Sequence, residues 1–222
     1  MAAGSGTRLG AKCPKALVNV AGQPLLAHAA ARFAEAGLTG PLIVVAPPRA
    51  EARFLPVAER AAGGHAVTIV AGGAERQDSV ARGLDALEPD TELVAIHDAA
   101  RPFVTDAAIA ASFAAAAEYG AATVAIPCAD TILEVDDAAM LQHTPERSRL
   151  WACQTPQTFR VAVIRAAHAQ ARGAGFLGTD DASLVRRAGG RVKLVLGTPH
   201  NFKVTTPGDL ALAEAVAAAG LA

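Results

Sequence analysis

Residues 42–46 read LIVVA, a helical stretch follows at 49–62, and a second apolar run, VTIVA, occupies 67–71. Each run is apolar on successive residues, the pattern of parallel strands that are covered on both faces. The alternation continues and predicts strands at 42–46, 67–71, 93–97, 122–127 and 192–196, and helices at 24–36, 49–62, 75–87, 106–119, 161–172, 181–188 and 207–219. This order predicts a doubly wound α/β fold with a mainly parallel sheet.

One stretch interrupts this alternation. Two short strand-like runs, 131–135 and 141–144, flank an acidic turn at Asp136-Asp137. A β-hairpin is the simplest interpretation, and an isolated two-stranded ribbon is barely stable unless something covers it. We therefore expect one domain over residues 1–222, with 130–150 as a protruding arm that a second subunit covers.

Composition excludes several classes of function. Of the 222 residues 18% are charged, and with a formal net charge of -1 neither a basic face nor an acidic tail is evident, so we expect no nucleic-acid partner. No signal peptide is recognisable and no apolar run reaches the ~20 residues that span a bilayer. The three cysteines, Cys13, Cys128 and Cys153, form no C-x-x-C pair. We expect a cytoplasmic protein without structural zinc and without membrane association.

The first fifteen residues carry a glycine-rich turn and two cations. The run AAGSGTRLG extends from Ala2 to Gly10 and includes Arg8, and Lys15 follows Pro14. Glycines let backbone N–H groups approach phosphate oxygens, and cations neutralise the charge that grows during nucleotidyl transfer. The run is not a dinucleotide fingerprint, because Leu9 stands where the third glycine should be. A glycine-rich surface turn with two solvated cations is the alternative reading.

A second glycine turn follows the strand predicted at 67–71. Gly72 and Gly73 run directly into a helix, whose N-terminus favours an anion or a polar base edge. A simple strand-to-helix turn capped by Asp78 or Ser79 is the alternative.

Polar residues also follow the later strands, at the end of the sheet where open parallel sheets bind ligands. Asp98 follows the strand at 93–97 and is the candidate ligand for a divalent ion that phosphate oxygens and water would help to hold. A local ion pair with Arg101 is the alternative role of Asp98. His97 is expected to be an interior histidine with satisfied hydrogen bonds, and Lys203 is expected to be functional because it lies among short polar residues just before the last helix.

Taken in order, eight segments resemble the 2-C-methyl-D-erythritol 4-phosphate cytidylyltransferase family of the non-mevalonate isoprenoid pathway. They are AAGSGTRLG, KCPKAL, GGAERQDSV, HDAARP, ADT, TPQTF, TDDASL and NFKVTTPGDLALAE. The resemblance implies a Rossmann-like nucleotidyltransferase fold, a homodimer and a requirement for Mg²⁺. It also implies transfer of a cytidylyl group from CTP to methylerythritol phosphate, with release of pyrophosphate.

The same resemblance implies roles for the matching residues. The residues that it implies to be catalytic are Arg8, Lys15 and Lys203. The residue that it implies to bind the metal ion is Asp98. Those implied in CTP binding are Ala2, Ala3, Gly4, Gly73, Ala74, Ser79 and Ala99. Those implied at the methylerythritol phosphate are Arg101, Thr131, Arg147, Thr155 and Thr179, with Arg147 reaching from the arm into the neighbouring subunit.

The chain departs from the family pattern at its beginning. In the family a buried strand precedes the Ala2-Ala3-Gly4 run, whereas here Met1 stands directly before it. We expect the first strand to be missing, an unfilled slot in the sheet beside the nucleotide loop, and a translation start upstream of Met1. A shortened variant with impaired CTP binding is the alternative. Two other functions stay open: a cytidylyltransferase for another polyol phosphate such as ribitol 5-phosphate, and a nucleotide-binding module without catalysis.

Overall fold

The computed structural model describes residues 1–4, 6, 9–10 and 13–221. Its strands are β1 (Asn19–Val20), β2 (Gln23–Pro24), β3 (Leu42–Ala46), β4 (Val67–Ala71), β5 (Leu93–Ile96), β6 (Ala121–Pro127), β7 (Glu134–Val135), β8 (Leu141–His143), β9 (Trp151–Arg160) and β10 (Lys193–Leu196). Its helices are α1 (Leu25–Glu35), α2 (Glu51–Ala61), α3 (Arg76–Asp85), α4 (Asp106–Tyr119), α5 (Val161–Gly173), α6 (Asp181–Arg187) and α7 (Pro207–Ala218). The predicted alternation of apolar strands and helices is confirmed.

The central sheet is built in two parts. One part has the strand order β10-β6-β9-β5, and the other pairs β3 with β4 in parallel. β10 runs parallel to β6, and β9 runs antiparallel to both β6 and β5. Hence β5, β6 and β10 share one direction and β9 runs against them, which confirms the prediction of a mainly parallel sheet.

β9 corrects one expectation. The predicted strands include none over 151–160, but Thr155-Pro156-Gln157 lies buried inside β9. The sequence of β9 has no apolar run. Its polar side chains can be buried because they form hydrogen bonds within the fold. The Oε1 atom of Gln157 accepts hydrogen bonds from the N–H of Asp181 and of Ala182 at 3.0 and 3.1 Å, and Nδ2 of Asn201 donates to the Thr155 carbonyl at 2.9 Å.

Two helix layers cover the sheet, with α1, α2 and α4 in contact on one side and α3, α5 and α6 in contact on the other. Phe54 and Ala58 of α2 pack on Val44 of β3. Phe159 of β9 packs with Ile164 of α5 in a separate cluster. These contacts bury apolar area on both faces of the sheet, as the continuous apolar strands require.

Local signals set the helix ends. The Thr105 side chain accepts from the N–H of Ala108 at the start of α4, and Gly120 ends that helix with φ 89°. At the start of α7, Thr206 is the N-cap residue and forms a reciprocal capping box with Asp209, and Pro207 is the first residue of the helix. A positive φ favours glycine, because a side chain would be strained there. Gly120 can therefore adopt the left-handed conformation that ends α4.

The segment predicted as an arm contains the antiparallel pair β7 and β8. Every residue from 129 to 144 is exposed. The exposed side chains include Leu133, Val135, Met140 and Leu141, which are 55, 51, 64 and 58% exposed. The hairpin therefore presents an apolar surface to solvent.

The sheet is interrupted between β3 and β5. Over the described residues no ladder joins these two strands, and no strand is assigned before Asn19. A cavity of about 610 Å³ lies between them, bordered by Met1, by both strands, by α1 and by α3. This cavity is the slot that the sequence led us to expect.

Candidate functional site

Asp98 lies at the centre of a charged cluster beyond the carboxyl end of β5. Its Oδ2 is 2.7 Å from Nζ of Lys203, and its Oδ1 is 4.0 Å from Nε of Arg76. Burial opposes ionisation of the carboxyl, but the Lys203 ammonium and the Arg76 guanidinium outweigh burial and hold the pKa of Asp98 well below its ordinary value. Asp98 is therefore a buried, permanently ionised carboxylate at neutral pH.

The segment before α7 delivers Lys203 to this cluster. The N–H of Val204 donates to the carbonyl of Ala100 at 2.8 Å, so residues 201–204 run beside the turn that follows β5. The Lys203 side chain is 38% exposed and stays accessible from the site. Lys203 and Asp98, which were singled out separately from the sequence, thus meet in space.

Arg101 does not form the ion pair that was considered for Asp98. Its Nη1 donates to the carbonyl of Asn201 at 2.8 Å and its Nη2 to the carbonyl of Cys153 at 3.3 Å. Within the described parts of the chain, no salt bridge joins Arg101 to Asp98 and the buried Nε of Arg101 has no hydrogen-bond partner. Arg101 ties β9 to the Lys203 segment and keeps a donor without a partner there.

His97 is the interior histidine that was expected. Its Nε2 is 3.0 Å from the Arg101 carbonyl oxygen, and its Nδ1 is 3.0 Å from Oγ1 of Thr155. Burial lowers its pKa to about 4, so the ring is neutral near pH 7. The Thr155 Oγ1 also accepts from the Asp98 N–H at 3.1 Å, so the structure places this predicted substrate residue underneath Asp98, where it positions the backbone of Asp98.

The second glycine turn packs against the first. A Cβ atom added to Gly72 would lie 2.6 Å from Cβ of Ala3, so glycine at 72 lets the two loops approach. Ser79 is buried, and its Oγ accepts from the N–H of Gly73 at 3.0 Å. Ala74 beside them is exposed.

The cap of α3 involves one of the two residues considered for it, Asp78. Glu75 is the N-cap residue, and it forms a capping box with Asp78. Ser79 instead turns back to the glycine turn. The Oδ2 atom of Asp78 accepts from the Glu75 N–H at 3.2 Å, so Asp78 takes part in the cap as the alternative had it, whereas Ser79 does not.

The beginning of the chain lies between β3 and the turn after β5. The N–H of Ala2 donates to the carbonyl of Val45 at 2.8 Å, and the N–H of Ala99 donates to the carbonyl of Met1 at 3.0 Å. Both N–H groups are used within the fold, so Ala2 and Ala99 shape the loop through their backbones. Ala3 and Gly4 follow at the mouth of the site.

The structure describes one of the two cations of the first loop, Lys15. Lys15 begins a short 3-10 turn, and a Cβ on Gly6, whose φ is 69°, would lie 2.6 Å from Cβ of Lys15. Glycine at position 6 therefore lets the loop close against Lys15. Arg8 lies outside the described residues.

Three other predicted residues are exposed. Thr131 and Arg147 are on the arm, where Nη1 of Arg147 donates to the carbonyl of Ala129 at 2.9 Å, and Thr179 precedes α6. In the described chain no hydrogen bond or ion pair connects them to Asp98.

Sequence reasoning missed Arg76. Its Nη1 lies 2.7 Å from Oδ2 of the fully buried Asp181, whose Oδ1 is 3.1 Å from Nε2 of His168. Burial disfavours the charged form of Arg76, but Asp181 and Asp98 outweigh it and raise its pKa. A cation in the first turn of a helix opposes the helix dipole, and this local conflict is the signal that could have revealed its buried partners.

The described residues contain no cluster of three or more metal-ligating side chains. A single carboxylate such as Asp98 would suit Mg²⁺ only where phosphate oxygens and water complete the coordination. No helix in the described part of the chain has both the length and the apolar character needed to cross a bilayer.

Doubly wound sheets bind ligands at the carboxyl ends of their strands, and a carboxylate, a lysine and glycine turns there suit a polyphosphate ligand. The family model described as IspD, 2-C-methyl-D-erythritol 4-phosphate cytidylyltransferase, matches residues 1–219. The chain belongs to this family and is a nucleotidyltransferase.

Individual relatives agree with the family assignment. The chain is 45% identical to the 2-C-methyl-D-erythritol 4-phosphate cytidylyltransferase of Geobacter metallireducens, over 96% of this chain and 94% of that protein. It is similar to the crystal structure of the Thermus thermophilus enzyme of the same name, with TM-score 0.79, 40% identity and coverage of 92% and 94% of the two chains. A synthase structure from Anaerococcus prevotii gives TM-score 0.84 at 28% identity, over 90% and 88%.

Proposed function

We propose that this chain transfers a cytidylyl group from CTP to the phosphate of 2-C-methyl-D-erythritol 4-phosphate and releases pyrophosphate. Membership of the cytidylyltransferase family supports the reaction. The observation that carries it is the 2.7 Å pair of Lys203 and Asp98 at the carboxyl edge of the sheet, beside the two glycine turns. The pair places one cation and one oxygen ligand where a polyphosphate would lie.

The reaction needs charge stabilisation more than proton transfer. An oxygen of the acceptor phosphate forms a bond to the α-phosphorus of CTP, and the bond from that phosphorus to the bridging oxygen breaks, so pyrophosphate leaves with the electron pair. A phosphate monoester is nucleophilic near neutral pH, and no general base is required. The neutral, internally bonded His97 is consistent with a site that lacks a histidine base.

The chain's own cations supply the stabilisation. Lys203 contacts the reacting phosphates, and Lys15 and Arg8 hold the triphosphate from the first loop. The two glycine turns surround the cytidine through the residues assigned from the sequence, Ala2, Ala3, Gly4, Gly73, Ala74, Ser79 and Ala99. Arg101 places a positive charge beside the acceptor phosphate, and Thr155 contributes by positioning the backbone of Asp98.

Mg²⁺ fits the residues present as an ion shared with the substrate. Asp98 would hold it, because a buried carboxylate that stays ionised is a hard oxygen ligand. When bound, the ion would neutralise negative charge on the phosphates of CTP.

The arm supports a homodimer. Its apolar side chains are exposed, and a two-stranded ribbon of this size requires a cover. We assign that cover to a second copy of the chain, so that Thr131 and Arg147 of one subunit complete the acceptor site of the other. The body over 1–222 is then one domain and residues 130–150 its dimerisation arm, and the three free cysteines fit a reducing cytoplasm.

Pyrophosphate release tests the proposal. The protein is assayed with CTP and Mg²⁺, and with methylerythritol phosphate or ribitol 5-phosphate as acceptor. We expect release with methylerythritol phosphate and at most slow release with ribitol phosphate. Preference for ribitol phosphate would contradict the acceptor, and CTP binding without release for either acceptor would contradict catalysis.

A further inference from the structure

Residues 197–204, which lie between β10 and α7, belong to no helix or strand. The backbone of this segment is bonded to the sheet near its two ends. The N–H of Gly197 donates to the Ala125 carbonyl at 2.9 Å, and the N–H of Val204 donates to the Ala100 carbonyl at 2.8 Å. Without a helix or a ladder, the part between these ends takes its position from side-chain hydrogen bonds.

Two buried amide side chains hold the middle of the segment against β9. Nε2 of Gln154 donates to the Thr198 carbonyl at 2.9 Å. Nδ2 of Asn201 donates to Oε1 of Gln154 at 3.0 Å, and to the Thr155 carbonyl at 2.9 Å. Gln154 and Asn201 are only 4% and 2% exposed. Since hydrogen bonds are strong where water is excluded, this connected pair fastens the segment two residues before Lys203.

The partners of the two amides set their direction. The Thr198 carbonyl can only accept, so the nitrogen of Gln154 faces it and the oxygen of Gln154 faces Asn201. The nitrogen of Asn201 then serves two acceptors, while its buried Oδ1 has no hydrogen-bond partner within the described residues. An unpaired buried oxygen is costly, so the amide at position 201 is explained by the two bonds that its N–H groups donate.

Two further contacts draw the segment and β9 together. Nη1 of Arg101 donates to the Asn201 carbonyl at 2.8 Å, and Nη2 donates at 3.3 Å to the carbonyl of Cys153, the residue before Gln154. A Cβ atom on Gly197 would collide with Oε1 of Gln154, so glycine at 197 allows the close approach. The amide pair is thus the centre of a packed junction.

We propose that Gln154 and Asn201 are positioning residues for the transferase reaction. Their buried pair holds residues 197–204 on β9 and so sets Nζ of Lys203 at 2.7 Å from Asp98. Both act through Lys203 and not on the substrate. This role rests on the proposed function, in which Lys203 contacts the reacting phosphates. A misplacement of about 1 Å in such a group can cost about 10²-fold in rate.

Asn201→Asp in the full chain tests the pair, because it keeps the shape of the side chain and removes both donors. Its carboxylate would face the oxygens of Gln154 and Thr155. We expect turnover to fall by about 10²-fold. We also expect amide exchange at the Val204 N–H, measured by NMR, to become at least about tenfold faster while exchange in α4 is unchanged. Asn19→Asp, at an exposed position of β1, is the matched control and should behave as the parent does.

A double variant separates positioning from general damage. If Asn201 acts through Lys203, Asn201→Asp combined with Lys203→Ala should be no slower than Lys203→Ala alone, because residues that act as a unit have non-additive effects. Gln154→Glu is the milder second variant. It keeps the acceptor for Asn201 and removes the donor to Thr198, so we expect a loss of about tenfold in turnover and the same non-additivity with Lys203→Ala.

Unchanged exchange at Val204 in a folded Asn201→Asp or Gln154→Glu protein would overturn the proposal. It would also be overturned if the losses in turnover multiplied in the double variants. The exchange measurement does not depend on transferase activity. A parent that released no pyrophosphate would therefore contradict the proposed function, while exchange at Val204 would still decide whether the amide pair holds the segment.

Discussion

Asp98 stays ionised inside the protein because two cationic side chains, from separate segments of the chain, lie beside its carboxylate. Lys203 comes from the segment before α7, and Arg76 from the first turn of α3, where Asp181 fixes its guanidinium. Isolated buried carboxylates are costly, so removal of either cation changes the electrostatics of the whole cluster.

The Lys203→Ala variant should lose about 10²-fold to 10³-fold in turnover, because a preorganised donor to transition-state charge is removed. The fold should persist, since the Lys203 side chain is 38% exposed. Pyrophosphate release and circular dichroism measure the two effects. Lys193→Ala, on the exposed face of β10, is the matched control and should retain turnover. If Lys203→Ala turned over as fast as the parent, the proposed role of Lys203 would be contradicted.

Lys15→Ala and Arg8→Ala should each reduce turnover by at least about 10²-fold while the protein stays folded. The reason is the loss of a cation to which we assign the binding of the triphosphate. The exposed Arg53 of α2 provides the control, and Arg53→Ala should behave as the parent does. A folded Lys15→Ala protein with normal turnover would contradict the assignment.

The Met1 amine should make stability depend on pH between 6 and 8. Its pKa falls from 8.0 to about 6 on folding, chiefly through burial, with Asp98 and Asp181 opposing the shift and Arg76 and Lys203 adding to it. In this window the unfolded chain binds more protons, so the free energy of unfolding rises with pH, by at most about 2–3 kcal/mol. Urea denaturation at several pH values measures the slope. The Nα-acetylated chain should lack this contribution, and identical slopes would refute it.

Among the secondary-structure elements, the turn between β4 and α3 packs closely against its neighbours. Gly73 approaches Asp78, and Gly72 approaches Ala3, so this turn connects the first loop to the helix start. The capping box at Glu75 holds the turn in place from the helix side.

The Gly73→Ala variant should lower stability by about 1–3 kcal/mol and weaken CTP binding. The new Cβ would collide with Cβ of Asp78 at the start of α3, and either the turn or the helix must move. Urea denaturation and CTP titration measure both effects. In Gly173→Ala a Cβ meets nothing within 4 Å, so this helical control should be neutral or slightly stabilising. Unchanged CTP affinity in a folded Gly73→Ala protein would argue against a role of the turn in the nucleotide site.

At the scale of the whole molecule, the exposed arm and the interrupted sheet are two surfaces that a single copy of the described chain leaves open. Dimerisation would cover the arm.

Leu133→Asp together with Leu141→Asp should convert the dimer to a monomer and reduce turnover, because two charges enter an apolar interface. Light scattering gives the mass, and pyrophosphate release gives the activity. Leu212→Asp on α7, where the parent side chain is 51% exposed, is the control. A parent that is monomeric at working concentrations would contradict the dimer at once.

The sequence by itself determined the α/β order, because apolar runs, alanine-rich helices and their caps are local signals. It also identified Asp98 and Lys203 as candidates, because short polar residues at strand ends are visible without a fold. Only the tertiary structure decided that β9 is a buried strand, since its polar side chains are paired with residues such as Asp181 and Asn201 that are distant in sequence. The same holds for Arg76 and for the pairing of Lys203 with Asp98: a charge is stabilised by whatever the fold places beside it, and a linear pattern does not contain that distance.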